Sequence, residues 1–203
     1  TYWQPLVKVM SQRWCSLSAG AELLNQVGLR QQRIYYCSNA RCLLVYRNPT
    51  SLIIFMDEIQ AYRYPHAEDV NHILHRIICD NSVTEDKGAL MTQWNCFDVE
   101  EFNVIADYAK SLIDRPTKLV DLWGQVYQYG HYQSYHNHIH NDWAFVYYVN
   151  TPYGSSPIVF RTSNKRIKPI TGMLILFPGY MDHYVPPNKG EGRSIVAGNL
   201  VYT

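Results

Sequence analysis

The sequence predicts a mainly β protein with helices on the flank, an α+β arrangement whose strands form an all-β sandwich or barrel. Aromatic residues make up 14% of the 203 residues, with 17 tyrosines, and such side chains fit a pleated, half-buried surface. The apolar period changes after Pro116 from about 3.6 residues to about 2, the helix and strand values. Beyond that point short apolar runs alternate with turn residues and no helix intervenes, the pattern of a sandwich or barrel.

Taken in order, residues 1–55 show no sustained periodicity. A short helix is expected around Ala19 to Leu29, and an interrupted apolar stretch runs from Ile34 to Tyr46. Met56-Asp57-Glu58-Ile59 reads as a translation start, so 1–55 is expected to be an N-terminal extension and 56–203 the domain proper. Val70, Ile73, Leu74, Ile77 and Ile78 fall on one helical stripe, which predicts a helix over about 66–80. The polar segment Asp80 to Gly88 reads as a loop. Asp98 with Glu101 has capping-box spacing. Val99, Phe102, Ile105, Ala106, Ala109, Leu112 and Ile113 continue as a second stripe that Pro116 closes, over about 98–113. These two N-terminal helices would cover one face of a sheet.

The β core is expected over about 117–203. Leu119 to Tyr129 alternates loosely, and a strand follows around Trp143 to Val149. Further strands fall at Pro157–Phe160, Met173–Phe177 and Ser194–Ala197, with turns at Thr151–Gly154, Ser163–Lys165 and Pro187–Gly190. Lys165, Arg166 and Lys168 read as a solvated hairpin tip.

Composition narrows the functional classes. A formal charge of +1 and a pI near 7.6 give no electrostatic case for nucleic acid or a membrane surface. The apolar run Leu52 to Met56 is far short of a membrane span. Cys15, Cys37, Cys42, Cys79 and Cys96 show no CxxC pair and read as isolated thiols. That suits a reducing, intracellular compartment such as a cytoplasm.

The chemistry concentrates in Gly130 to Asp142, where His131, His136, His138, His140 and Asp142 crowd together. If that segment is extended, side chains two apart share a face. His136, His138, His140 and Asp142 would then converge from one wall, as a divalent transition metal requires. A second segment, Gly172 to Pro186, carries His183 just after a buried strand. An early histidine strand joined by one late histidine is the way a double-stranded β-helix builds a mononuclear site.

In that arrangement Gly130, His136-x-His138 and Asp142, followed by Gly172, Pro178 and His183, resemble the two cupin motifs, with Asp in the place of the usual Glu. The longer run is more similar still to the 2-oxoglutarate/Fe(II)-dependent oxygenases of marine phages. Its matching segments are Trp123-Gly124-Gln125-Val126-Tyr127, His136-Asn137-His138, Trp143-Ala144-Phe145-Val146-Tyr147-Tyr148, Ser156-Pro157-Ile158-Val159-Phe160, Leu176-Phe177-Pro178-Gly179, His183-x-Val185-Pro186 and Arg193 with Ala197-Gly198-Asn199. Thr92-Gln93-Trp94-Asn95 resembles a helix signature of the same family. The likeness covers about 56–203.

It implies a jelly-roll, cupin-like double-stranded β-helix that uses Fe(II), 2-oxoglutarate and O₂ to oxidise a C–H bond of an unidentified prime substrate, releasing succinate and CO₂. A homodimer is compatible with it. The metal candidates are His136, His138, Asp142 and His183, with either His138 or Asp142 as third ligand, or all four bound as in cupins; His140 is placed outside. Arg193 is expected to anchor the distal carboxylate of 2-oxoglutarate, a task suited to a planar, permanently charged fork. Tyr127 and Asn199 are further cosubstrate candidates, and Gln125, Tyr129 and Trp143 flank the cavity. Ile195 stands where the family carries a serine, and His138 where many of these enzymes carry Asp. Two alternatives stay open: a cupin-type metal enzyme without 2-oxoglutarate, and a non-catalytic β-sandwich or virion-associated protein with a structural metal.

Overall fold

Alternation along the central strands separates two apolar sets, and the two sets become the two sides of a sheet. In a computed structural model, the backbone is described for residues 32–38, 41–48, 51–56, 58–86 and 88–203, and side chains for 58–83 and 88–203. The expected helix at Ala19 to Leu29 lies outside the described residues.

The main sheet contains β1 (Gln32–Ser38), β2 (Arg41–Asn48), β3 (Ser51–Met56), β4 (Ile59–Arg63), β5 (Thr84–Asp86), β6 (Ala89–Met91), β7 (Thr117–Tyr127), β9 (Trp143–Asn150), β12 (Met173–Pro178) and β14 (Arg193–Tyr202). Their spatial order is β1-β2-β3-β4-β12-β9-β14-β7-β6-β5. A four-stranded sheet, β11-β10-β13-β8, is built from β8 (Gln133–His136), β10 (Ile158–Phe160), β11 (Lys165–Ile167) and β13 (His183–Val185). Every pairing is antiparallel. The smaller sheet lies over the main one, with Ile158, Phe160 and Val185 packed among Trp123, Tyr148, Phe177 and Ile195.

Helices α1 (Ala67–Asn81) and α2 (Glu100–Ser111) cover the other side of the main sheet, α1 on β9 and α2 on β7. The stripes read from the sequence do this work. Leu74, Ile78, Phe102, Ile105, Ala106 and Ala109 are buried against Leu122, Val126, Phe145, Tyr147 and Val196, while Val70, Ile77, Val99, Leu112 and Ile113 pack around them. Gly124 on β7 permits the close approach, since a Cβ there would stand 2.7 Å from Ile78 Cγ1 and 3.0 Å from Phe102 Cζ. The expected β-rich double-stranded β-helix with two supporting helices is therefore the fold.

Three local expectations need correction. The Asp98–Glu101 capping box does not form: Val99 is the N-cap, without a side-chain cap bond. Asn103 Nδ2 instead donates back to the carbonyls of Phe97 and Val99. The segment expected as a loop contains β5, which pairs with β6 in a hairpin. Thr92 to Asn95 is not helical but crosses between β6 and α2. Residues 32–56, on the extension side of the expected boundary, supply β1–β3 to the main sheet, and the β1–β2 hairpin sets Cys37 opposite Cys42.

Candidate active site

Three histidines meet where the small sheet faces the main one. His183 opens β13 and pairs in register with His136, the last residue of β8. Their ring centroids are 4.2 Å apart, and His138 lies 5.2 Å from His136 and 5.3 Å from His183. One ligand nitrogen from each ring falls within 4.8 Å of the others, the one such metal-ligand group found among the described residues.

The extended-segment expectation is corrected here. Strand β8 stops at His136, and the chain turns through residues 138–141 before β9 begins. His138 N–H donates to Gly179 O at 2.7 Å, Gly179 N–H to Asp142 O at 3.0 Å, and Asn141 N–H to His138 O at 2.8 Å. This clamp carries His138 into the site from a turn rather than from a strand face. Gly179 makes it feasible, because a Cβ at that position would lie 2.1 Å from Asn141 O and 2.5 Å from His138 O. Asn137 adds a tie from its Nδ2 to Asp182 Oδ1 at 2.8 Å.

The same turn directs Asp142 elsewhere: its Oδ2 accepts the Tyr202 N–H at 2.7 Å, and it is not in the histidine group. His140 is exposed.

The tautomers of two rings follow from their partners. His136 Nδ1 faces Ser134 O at 2.9 Å, and His183 Nδ1 faces Met181 O at 2.9 Å. A carbonyl only accepts, so each Nδ1 carries a proton, and in the neutral ring Nε2 is the nitrogen that can ligate a metal. That is how a ligating histidine is ordinarily oriented by its other nitrogen. His183 is buried, with the rings of Phe177 and Phe160 at 4.9 and 5.8 Å.

The histidines open onto a cavity of about 190 Å³ that also reaches Trp123, Gln125, Tyr127, Gln133, Ile195 and Arg193. Arg193 is 1% exposed, and its Nε and Nη1 are buried without a hydrogen-bond partner. Its Cζ sits 4.3 Å above the Tyr127 ring and 5.5 Å from that of Tyr148. Cation–π contact offsets part of the desolvation, but no carboxylate among the described residues pairs with it.

Tyr127 Oη donates to Gln125 Oε1 at 3.0 Å. Asn199 is outside the cavity lining; its Nδ2 donates to Asp121 Oδ2 at 2.8 Å. Tyr129 is largely exposed, and Trp143 Nε1 donates to Tyr202 Oη at 2.8 Å, away from the cavity.

Sequence reasoning missed Tyr148 and the Trp94–Trp123 pair as site components. Tyr148 is fully buried beside the Arg193 guanidinium, and burial, partly offset by Arg193, pushes its pKa up to about 12. Strand parity could have found it, since Tyr148 is the register partner of Ile195, two residues from Arg193.

No protein-family model matches the chain, and no curated protein matches its sequence. Solved structures do. The chain is similar to the viral collagen prolyl hydroxylase vCPH of Paramecium bursaria Chlorella virus-1, solved with 2OG, at TM-score 0.62 and 14% identity over 71% of this chain and 96% of that one. A prolyl hydroxylase from Trichoplax adhaerens, in complex with a hypoxia inducible factor peptide, matches at TM-score 0.55 and 16% identity, over 71% and 84%. The non-heme alpha-ketoglutarate-dependent epimerase SnoN from nogalamycin biosynthesis matches at 0.57 and 11%, over 71% and 78%. At such identities the likeness is one of fold, and that fold is the double-stranded β-helix in which these oxygenases are built.

Proposed function

We propose that this chain is a non-haem Fe(II)- and 2-oxoglutarate-dependent oxygenase that oxidises a C–H bond, with His136, His138 and His183 as metal ligands. The observation that carries the reading is Arg193, a buried guanidinium whose Nε and Nη1 lack partners and which lines the same cavity as the three histidines. A buried cation is costly unless paired, and a dicarboxylate spanning from the metal to the arginine would supply the missing partner. The solved structures of like fold act with 2-oxoglutarate or belong to prolyl hydroxylases. The finer likeness, to the marine-phage type, rests on the sequence motifs.

The donor set fits Fe(II), because imidazole nitrogens suit iron as well as zinc, copper and nickel. When bound, Fe(II) together with 2-oxoglutarate supplies the activation of O₂. The chain contributes the rest. The carbonyls of Ser134 and Met181 fix the His136 and His183 rings. Arg193 binds the distal carboxylate, and the buried Tyr127 and Tyr148 rings pack against its guanidinium and hold it in place. Ile195, Ala197 and Val185 line the cavity with apolar surface and limit water.

A second reading has its own support. The group holds three imidazoles and no carboxylate, a set also used by hydrolytic His₃ zinc centres, so a cupin-type metal enzyme without cosubstrate is the competitor. Calorimetry of 2-oxoglutarate on Fe(II)-loaded protein under argon separates them, followed by succinate release in air. Binding that disappears in Arg193→Ala, and metal that disappears in His183→Ala, support the oxygenase. Full metal loading without 2-oxoglutarate binding would sink it in favour of the competitor.

A further inference from the structure

Resting on that reading, we infer that Trp94 and Trp123 form an aromatic shelf that receives an uncharged ring of the prime substrate beside the metal face. The ring is expected to carry a hydroxyl or carbonyl oxygen. Trp94 is 52% exposed yet lines the cavity, and its ring centroid lies 4.7 Å from that of Trp123 at an interplanar angle of 49°. Trp123 continues the surface inward to His138, 6.3 Å away. A tryptophan left half in water at a cavity mouth is apolar surface without a partner, the usual mark of a binding surface.

The loop that presents Trp94 is held firmly. Thr92 N–H donates to Gly124 O at 3.0 Å, Gly124 N–H returns to Thr92 Oγ1 at 3.0 Å, and Cys96 N–H donates to Leu122 O at 2.8 Å. Between these anchors Asn95 adopts φ 64°, a left-handed conformation uncommon for a side chain other than glycine. Anchored on both sides and kinked in the middle, the loop sets Trp94 outward over the cavity rather than letting it fold into the core. Such strain is retained where the surroundings over-determine it, often at ligand clamps.

The second, independent mark is Trp123 Nε1. This donor is buried without an acceptor, while the residue itself lines the cavity. An oxygen on the bound ring would satisfy it. Besides the histidines and Arg193, the polar lining consists of Gln125, Gln133, Asn137 and Tyr127, with no carboxylate and no lysine. A charged ring would find no counter-ion there, since Arg193 lies deeper and is committed to the cosubstrate. Indole faces bind saturated and planar rings alike, so the shared chemistry is a neutral, oxygen-bearing ring.

The test uses the full chain loaded with Zn(II) and 2-oxoglutarate, followed by the indole N–H resonances of its five tryptophans. Methyl glucoside serves as the saturated probe, thymine as the planar one and glucuronate as the charged control. Trp94→Ala and Trp123→Phe assign two of the signals. The expected result is that at least one neutral probe shifts both. Its affinity should fall about ten-fold or more in Trp94→Ala, be largely kept in Trp94→Phe, and exceed that of glucuronate. The responding probe identifies the ring type. If neither probe moves the two signals, if Trp94→Ala binds as well as wild type, or if glucuronate binds equally, the proposal is overturned. Failure of 2-oxoglutarate itself to bind would count against the oxygenase reading instead, because ring binding is read separately.

Discussion

The two faces of the central strands differ in how they treat polar groups. On the helix side of β9 and β14, buried or half-buried polar atoms are paired: Tyr147 Oη donates to Asn71 Oδ1 at 2.6 Å, and Ser194 Oγ meets His75 Nδ1 at 2.8 Å, while the unpaired Ser82 Oγ and Thr117 Oγ1 lie at the end of α1 and the start of β7. On the cavity side of the same strands, Trp123 Nε1, Arg193 Nε and Nη1, and Asn199 Oδ1 are buried and unpaired. The strands are shared, so neither local propensity nor register explains the difference. One face is finished as a core, and the other is left for something the chain does not itself contain.

The comparison breaks first on the helix side if that face is not the stabilising one. Leu74→Ala removes a fully buried side chain wedged between α1 and the sheet. It should cost about 2–5 kcal/mol, the usual range for a large-to-small core change, while metal uptake by the folded fraction stays at the wild-type level. Urea denaturation with parallel metal analysis reads both. A loss below about 1 kcal/mol would mean the helix face is loosely packed.

On the cavity side the sign should reverse. Arg193→Met replaces a buried, uncompensated cation by an apolar side chain of similar length. Stability should rise by on the order of 1–4 kcal/mol, as when buried charges give way to apolar packing, while 2-oxoglutarate binding is lost. Thermal melts without ligand, paired with calorimetry, test this. A fall in melting temperature would show that contact with Tyr127 outweighs the cost of the buried charge.

Much of this division was legible in the sequence, for physical reasons particular to each element. The helix stripes were readable because Leu74, Ile78, Phe102 and Ile105 repeat on one face, and the β core because its apolar runs alternate. His136, His183 and Arg193 are legible as candidates because each sits at a strand end where the motif spacing survives: His136 closes β8, His183 opens β13 and Arg193 opens β14. The geometry of His138 and Asp142 was not legible. Period-2 reasoning assumes an extended chain, and the bonds between His138, Asn141, Asp142 and Gly179 replace that chain with a turn. Trp94 escaped for the same reason, since its place depends on the left-handed Asn95 and on anchors to β7 that have no sequence period.

Gly179 sharpens the point about the turn. A Cβ in Gly179→Ala would collide with the carbonyl oxygens of His138 and Asn141, so the backbone that carries His138 must move. The metal should then bind about 10–100-fold more weakly, the range typical for losing a supporting group around a ligand, with only a small change in melting temperature. Competition with a colorimetric chelator measures the affinity. Unchanged affinity would show that His138 is held by something other than this clamp.

The smallest expected effect tests whether the two faces are independent. Ser194 is fully buried and adjoins Arg193 in sequence, but its hydroxyl points to His75 on α1. Ser194→Ala should cost about 0.5–1.5 kcal/mol, the net value of one hydrogen bond, and toward the low end because His75 is only partly buried and water can replace the serine. Affinity for 2-oxoglutarate should stay unchanged, because the alternation of β14 sends residues 193 and 194 to opposite sides. If affinity falls several-fold along with stability, the helix bond is positioning Arg193 through the shared backbone, and the helix face would then have to be counted as part of the site.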